Sequence, residues 1–312
     1  MKVTALAGGV GGAKLAAGLE AALPEGGFSV VVNTADDFDL WGLRICPDLD
    51  TVMYTLAGLA NPETGWGVAG ESFHSLEMLG RYGADTWFWL GDRDLATHLL
   101  RSERLRAGES LSSVTRDLAG RLGVASAVIP MSDEPVATVL DTPAGPLEFQ
   151  EYFVRRGQRD VVRGVEFRGL EAARPARAAL DAIREADAVV LCPSNPVVSL
   201  GPILAVPGMR EALRASSAPK VAVSPIIGGR ALKGPADEML ASTGHESSAA
   251  GVAEIYAGLA DALVMDRVDA GEKAAVESLG VRPYLTEAVM RDEPDRARLA
   301  REVLELAGEL RR

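Results

Sequence analysis

The feature that most restricts the fold lies at the start of the chain. A short apolar run, Val3-Thr4-Ala5-Leu6-Ala7, leads into Gly8-Gly9-Val10-Gly11-Gly12, and a helical stretch from Ala13 to Leu23 precedes a second run, Phe28 to Val32. Apolar runs bounded by turn residues and separated by a helix read as parallel strands buried on both faces. The chain therefore opens with a βαβ unit.

The same rhythm returns after Pro175. It gives a helix through Ile183, a strand Ala188 to Cys192, a helix around Gly208 to Arg214 and a strand Lys220 to Ser224. Helix-forming sequence from Glu246 to Leu259, a strand Ala262 to Asp266 and a closing helix Asp295 to Leu310 follow. Between the two α/β portions, Thr51 to Leu122 carries helical periodicity, as in Ala96 to Leu105 and Leu111 to Leu122. The pattern then shifts to alternating runs, Val136 to Leu140 and Leu147 to Val154, around the turn signal Pro143-Ala144-Gly145-Pro146. The expected fold is α/β: a Rossmann-like, three-layer parallel-sheet core from residues 1–50 and 169–312, with 51–168 forming an inserted helical and β-hairpin region.

Charge narrows the partners. The 32 Lys and Arg against 44 Asp and Glu leave a net charge of −12, which repels a phosphodiester backbone, so no nucleic acid is expected. A phosphorylated small molecule remains compatible, because helix N-termini, a few basic side chains and a divalent cation supply a local positive field. Two cysteines, Cys46 and Cys192, make no disulfide framework and suit a reducing cytoplasm. No apolar run approaches a membrane span and no signal peptide is expected, so the reading is a cytoplasmic protein without a membrane partner.

The polar clusters follow expected strands or open helices, where ligands of parallel sheets bind. Gly9, Gly11, Gly12 and Lys14 form a candidate phosphate site. The run departs from both the dinucleotide fingerprint and the Walker pattern, and its bland reading is a tight turn with an exposed lysine. Asp36, Asp37 and Asp50 stand close to that loop, and clustered carboxylates there point to oxygen-ligated Mg²⁺ unless Asp36 and Asp48 merely cap helices. Arg93, between Asp92 and Asp94 at an expected helix start, is placed to face a ligand. His98 is a weaker candidate, since a lone helical histidine is more often packed than catalytic. Ser194 and Asn195, in a proline-bounded loop, can hydrogen-bond a nucleotide.

Taken in order, Gly8 to Lys14, Val32 to Asp37, Cys46 to Thr51, Gly91 to His98, Pro130 to Asp133, Pro193 to Pro196 with Ser199 to Leu204, and Ser224 to Gly228 resemble the 2-phospho-L-lactate transferases of coenzyme F420 biosynthesis, the actinobacterial branch most closely. The resemblance covers almost the whole chain. It implies transfer of a phospholactyl or phosphoenolpyruvyl group from a guanosine diphosphate-linked donor to the deazaflavin Fo (7,8-didemethyl-8-hydroxy-5-deazariboflavin), with release of GMP and with Mg²⁺ as cofactor. It implies that Asp50 and Arg93 contact the deazaflavin and that Asp36 or Asp37 joins Asp50 on the metal, with Asp36 and Asp50 as the catalytic carboxylates. The glycine loop and Ser194-Asn195 would hold the guanosine diphosphate portion, and a homodimer is expected, with the hairpin around Leu147 to Val154 as its interface. The rival from another class is a non-enzymatic regulator of the gluconeogenesis-factor type that binds UDP-sugars. An NAD-dependent oxidoreductase is disfavoured by the missing fingerprint.

Overall fold

A computed structural model describes residues 1–311. In chain order its strands are β1 (Val3–Ala7), β2 (Phe28–Val32), β3 (Phe38–Leu40), β4 (Leu43–Ile45), β5 (Ala127–Pro130), β6 (Ala137–Thr142), β7 (Gly145–Glu148), β8 (Gly164–Arg168), β9 (Ala188–Leu191), β10 (Lys220–Val223), β11 (Ile226–Ile227), β12 (Arg230–Ala231), β13 (Ala262–Asp266) and β14 (Arg282–Thr286). Its helices are α1 (Gly9–Ala22), α2 (Pro47–Leu56), α3 (His74–Arg81), α4 (Asp92–Arg106), α5 (Leu111–Arg121), α6 (Arg177–Glu185), α7 (Leu200–Ala205), α8 (Met209–Ala215), α9 (Ala236–Ser242), α10 (Ala249–Tyr256), α11 (Lys273–Ser278) and α12 (Glu293–Leu310).

Seven strands form one sheet in the order β14-β13-β10-β9-β1-β2-β5, and every pairing in it is parallel. The chain runs outward from β1 through β2 to β5, then returns to the other side of β1 and continues through β9, β10, β13 and β14. That reversal separates the loops leaving β1 and β9 and opens a crevice at their carboxyl ends.

Helices cover both faces, as the uninterrupted apolar strands require. On one side α1, α2, α5 and α12 bury Leu15, Leu49, Val114 and Val303; on the other, α6 to α11 and the β6–β8 sheet bury Ile183, Leu213, Val252 and Leu140. Glycine sets the approach of α1 to α12: a Cβ on Gly18 would lie 2.4 Å from the Arg296 carbonyl oxygen. Each fully buried leucine contributes about 1.5–3 kcal/mol.

The fold is the expected α/β class, with local differences. Helix α1 begins at Gly9, inside the glycine run, with Gly8 extended before it and Gly9 at φ +61. Most of the run is therefore the first turns of a helix, not a loop. Strand β5 lies in the stretch read as an insertion and yet pairs with β2 at the edge of the main sheet. The Leu147 to Val154 run is strand only as far as Glu148 and then becomes a π-helical turn, Glu151–Arg155. Of the apolar side chains assigned to a dimer interface, Leu147, Phe149 and Tyr152 are buried within the chain and Val154 is exposed. Among the described residues, no helix is long and apolar enough to cross a membrane.

Candidate active site

The crevice between β1 and β9 is the floor of a cleft of about 1150 Å³. That exceeds an ordinary single-ligand pocket of about 300–1,000 Å³ and suits two substrates side by side.

At the floor, the start of α1 docks onto the loop after β9. Ser194 Oγ accepts from Gly8 N at 3.0 Å and donates to Gly8 O at 2.8 Å, so this buried hydroxyl fixes the glycine segment. A Cβ on Gly12 would lie 2.4 Å from Ser194 Oγ, and one on Gly11 would lie 2.4 Å from Pro193 O. These glycines are needed for closeness between the start of α1 and the loop after β9. Asn195 Oδ1 accepts from Val197 N and Val198 N, while its Nδ2 is buried without a partner and is a spare donor for a ligand.

Asp48 occupies the amide at the head of α1. Its Oδ1 accepts from Gly9 N at 2.8 Å, and its Oδ2 shares the Asn33 amide with Asp36 Oδ2, at 3.0 and 3.1 Å. Burial pushes Asp48 up to about 6, and burial followed by the Asp48 charge holds Asp36 well above the usual carboxylate range. Asp36 Oδ1 and Asp37 Oδ1 are buried without partners, and burial raises Asp37 to about 8. Asp36 lines the cleft and also a neighbouring cavity of about 430 Å³, and Asp37 lines the neighbouring cavity.

Asp50 has a different environment. It stands in the first turn of α2 with both oxygens in the fork of Arg101: Nη1 donates to Oδ2 at 2.9 Å and Nη2 donates to Oδ1. Burial disfavours the Arg101 charge, but Asp50 more than offsets it. Arg101 Nη1 also lies 3.2 Å from His98 Nδ1. A guanidinium cannot accept, so in this contact Nδ1 is the acceptor, and Nε2 lies 3.2 Å from Asp94 Oδ1. Tyr54 completes the chain, its hydroxyl 2.8 Å from both Asp94 Oδ1 and Thr97 Oγ1. Burial, then the charges of Asp50 and Asp94, raise Tyr54 and keep it protonated.

Cationic side chains line the same cleft. Lys14 donates to Met290 O at 3.0 Å, and burial, then the charges of Arg296 and Lys233, lower its pKa. Lys233 and Arg291 line the same cleft. The mouth is aromatic: Trp66, Trp87 and Trp89, three of the four tryptophans, line it, with Trp66 50% and Trp89 61% exposed. The adjacent triplet Trp87-Phe88-Trp89 is the sequence signal that would have located this wall.

Arg93 is exposed, one residue from the cleft-lining Asp94 and itself outside the lining. Its Nη1 donates to Ala69 O at 3.0 Å. Its backbone belongs to a reciprocal cap. Glu71 accepts from Arg93 N and Asp94 N, while Asp92 accepts from His74 N and Ser75 N, joining the starts of α3 and α4.

Comparison with known proteins decides the family. The sequence model described as 2-phospho-L-lactate transferase CofD matches residues 3–305. The chain belongs to that family. It is 46% identical over 317 residues to a phosphoenolpyruvate transferase of Streptomyces griseus, covering all of both chains. It is 41% identical to a 2-phospho-L-lactate transferase of Methanopyrus kandleri, covering 99% of each. A crystal structure of a UPF0052-family protein from Bacillus halodurans superposes with a TM-score of 0.66 at 17% identity, over 97% of this chain and 98% of that one, a likeness of fold. The CofD-family member is a transferase of F420 biosynthesis, and the UDP-sugar regulator reading is not favoured.

Proposed function

We propose that the chain moves a phosphoenolpyruvyl group from a guanosine diphosphate-linked donor to the ribityl hydroxyl of Fo, releasing GMP. The observation that carries this reading is the make-up of one cleft, whose lining brings together the head of α1, the cations Lys14, Lys233 and Arg291, the carboxylates Asp36, Asp48 and Asp50, and three tryptophans. The diphosphate suits the head of α1, with Lys14, Lys233 and the spare Asn195 amide as donors. A planar deazaflavin suits the tryptophans, with its ribityl chain toward Asp50 and Arg93 at the rim. The hydroxyl oxygen forms a bond to the phosphorus bearing the enolpyruvyl group, the bond to GMP breaks, and the hydroxyl proton leaves. Positioning of the two substrates and donors aimed at the phosphoryl oxygens supply the rate. The names of the Streptomyces relatives favour enolpyruvyl over lactyl.

Mg²⁺ is part of the proposal. The unpartnered buried oxygen of Asp36, which lines the cleft, is a hard donor that fits it; Asp50, Asp94 and His98 also bring ligand atoms within 4.8 Å of one another, but there the Asp50 charge is matched by Arg101. When bound, the ion supplies positive charge to the diphosphate. A cytoplasmic location goes with the free, buried Cys46 and Cys192. The homodimer rests on the resemblance and is read by light scattering, with about twice 32.8 kDa expected.

Mass spectrometry of the product formed from Fo with enolpyruvyl and lactyl donors in parallel tests the reading. The enolpyruvyl adduct and GMP are expected in equal amounts. Transfer from neither donor would overturn the function, and transfer from the lactyl donor alone would overturn the assigned group.

A further inference from the structure

We propose that Arg101 is the positioning residue of the acceptor site: its fork sets the orientation of the Asp50 carboxylate toward the acceptor hydroxyl and reserves that carboxylate from the metal. The inference rests on the transferase reading above.

Arg101 lies in the third turn of α4 and is 1% exposed, while Asp50 is at the head of α2, 5% exposed and lining the cleft. A fully buried arginine is costly to keep. Replacing a buried ion pair by apolar residues of similar volume is often neutral or stabilising, so stability alone gives no reason for the pair. Geometry does. An ionised carboxylate offers roughly four acceptor positions, and the planar fork takes one on each oxygen. The remaining ones stay open on a group that lines the cleft.

The second Nη1 hydrogen reaches His98 Nδ1, and His98 Nε2 faces Asp94. The guanidinium thus fixes Asp50 and the imidazole together. A lysine brings one point charge and cannot hold both carboxylate oxygens in one plane. Asp50, Asp94 and His98 bring ligand atoms within 4.8 Å of one another, yet a dication among them would meet the guanidinium already there, which leaves the unpartnered Asp36 oxygen in the cleft for the metal.

The test compares wild type, Arg101→Lys and the neutral double variant Asp50→Asn with Arg101→Gln. Fo affinity is read by fluorescence titration, and GDP affinity by calorimetry with and without Mg²⁺. Arg101→Lys is expected to weaken Fo binding by about tenfold or more, as loss of a charge-assisted contact entails, with GDP affinity held within about twofold at both Mg²⁺ conditions. The double variant leaves no unpaired buried charge, so it reports even where the single variant folds poorly. It is expected to bind GDP normally and Fo weakly.

A purely structural Arg101 would lower both affinities together with the folded fraction. Equal losses for Fo and GDP, full Fo affinity in either variant, or loss of the Mg²⁺ effect on GDP would overturn the proposal. Wild-type protein that binds GDP and not Fo would instead overturn the transferase reading beneath it.

Discussion

Gly11 faces the carbonyl oxygen of Pro193 so closely that a Cβ on the glycine would lie 2.4 Å from it. Neither backbone can yield without separating α1 from the loop after β9. Gly11→Ala is therefore expected to cost about 1–3 kcal/mol in denaturant unfolding and to weaken GDP binding. Gly120→Ala is the contrast: it lies in α5 with open space around it and should gain about 0.5–1 kcal/mol. A neutral Gly11→Ala would show that α1 and the loop after β9 are not held in register by this contact.

Glu71 satisfies the first amides of α4, and a Cβ on Gly91 would fall 1.7 Å from its Oε2. Glu71→Ala should cost about 1 kcal/mol, as loss of a helix cap does. Gly91→Ala should produce a similar loss by pushing Glu71 off those amides, and the two changes together should cost little more than either. Full additivity in a double-mutant cycle would separate the two residues.

The carboxyl of Asp37, raised to about 8 by burial, gives a signed pH dependence. Between its unfolded value and about 8 the folded protein binds more protons than the unfolded chain, so stability falls as pH rises through that window. Metal-free protein should melt lower at pH 7.5 than at pH 5.5. Asp37→Asn should reduce that difference, with Asp36 and Asp48, also raised by burial, keeping the remainder. Mg²⁺ should stabilise more at the higher pH, because it binds the deprotonated form. A melting temperature of the wild type independent of pH across this range would refute the assignment.

Trp89 packs edge-on against Phe73, with centroids 5.5 Å apart, and presents most of its surface at the mouth of the cleft. Trp89→Ala is expected to lose about 0.5–1.5 kcal/mol of Fo affinity with GDP affinity and melting temperature nearly unchanged. Quenching of tryptophan emission during the Fo titration gives the readout. Unaltered Fo binding would move the acceptor ring to another part of the wall.

What the sequence made readable follows from how each residue acquires its role. Strands β1, β2, β9, β10 and β13 are legible because burial on both faces makes each a predominantly apolar run. Strand β14 is not, since Arg282-Pro283-Tyr284-Leu285-Thr286 is an edge strand with a proline and only its last residue buried. Asp36, Asp50 and Lys14 stand out because they adjoin the glycine run in sequence or motif, and all three line the cleft. Arg101 could not stand out in the same way. It sits in a helix also carrying Arg104 and Arg106 and reads as solvated charge until α2 packs beside α4 and turns that face inward. Ser194 is legible as a polar loop residue, yet its hydroxyl serves Gly8, a contact across 186 positions that no local pattern announces.

The central position of β1 also bears on how the chain is made. Val3 pairs with Phe28 on one side and with Ala188 on the other. At ribosomal rates of about 5–20 residues per second, β1 waits roughly 10–40 s beside an open, fully apolar edge before β9 emerges to close it. Cells making this protein must keep that edge from pairing with a neighbouring nascent chain. Synonymous changes that slow translation between β2 and β9 should raise aggregation without altering a single residue of the finished enzyme.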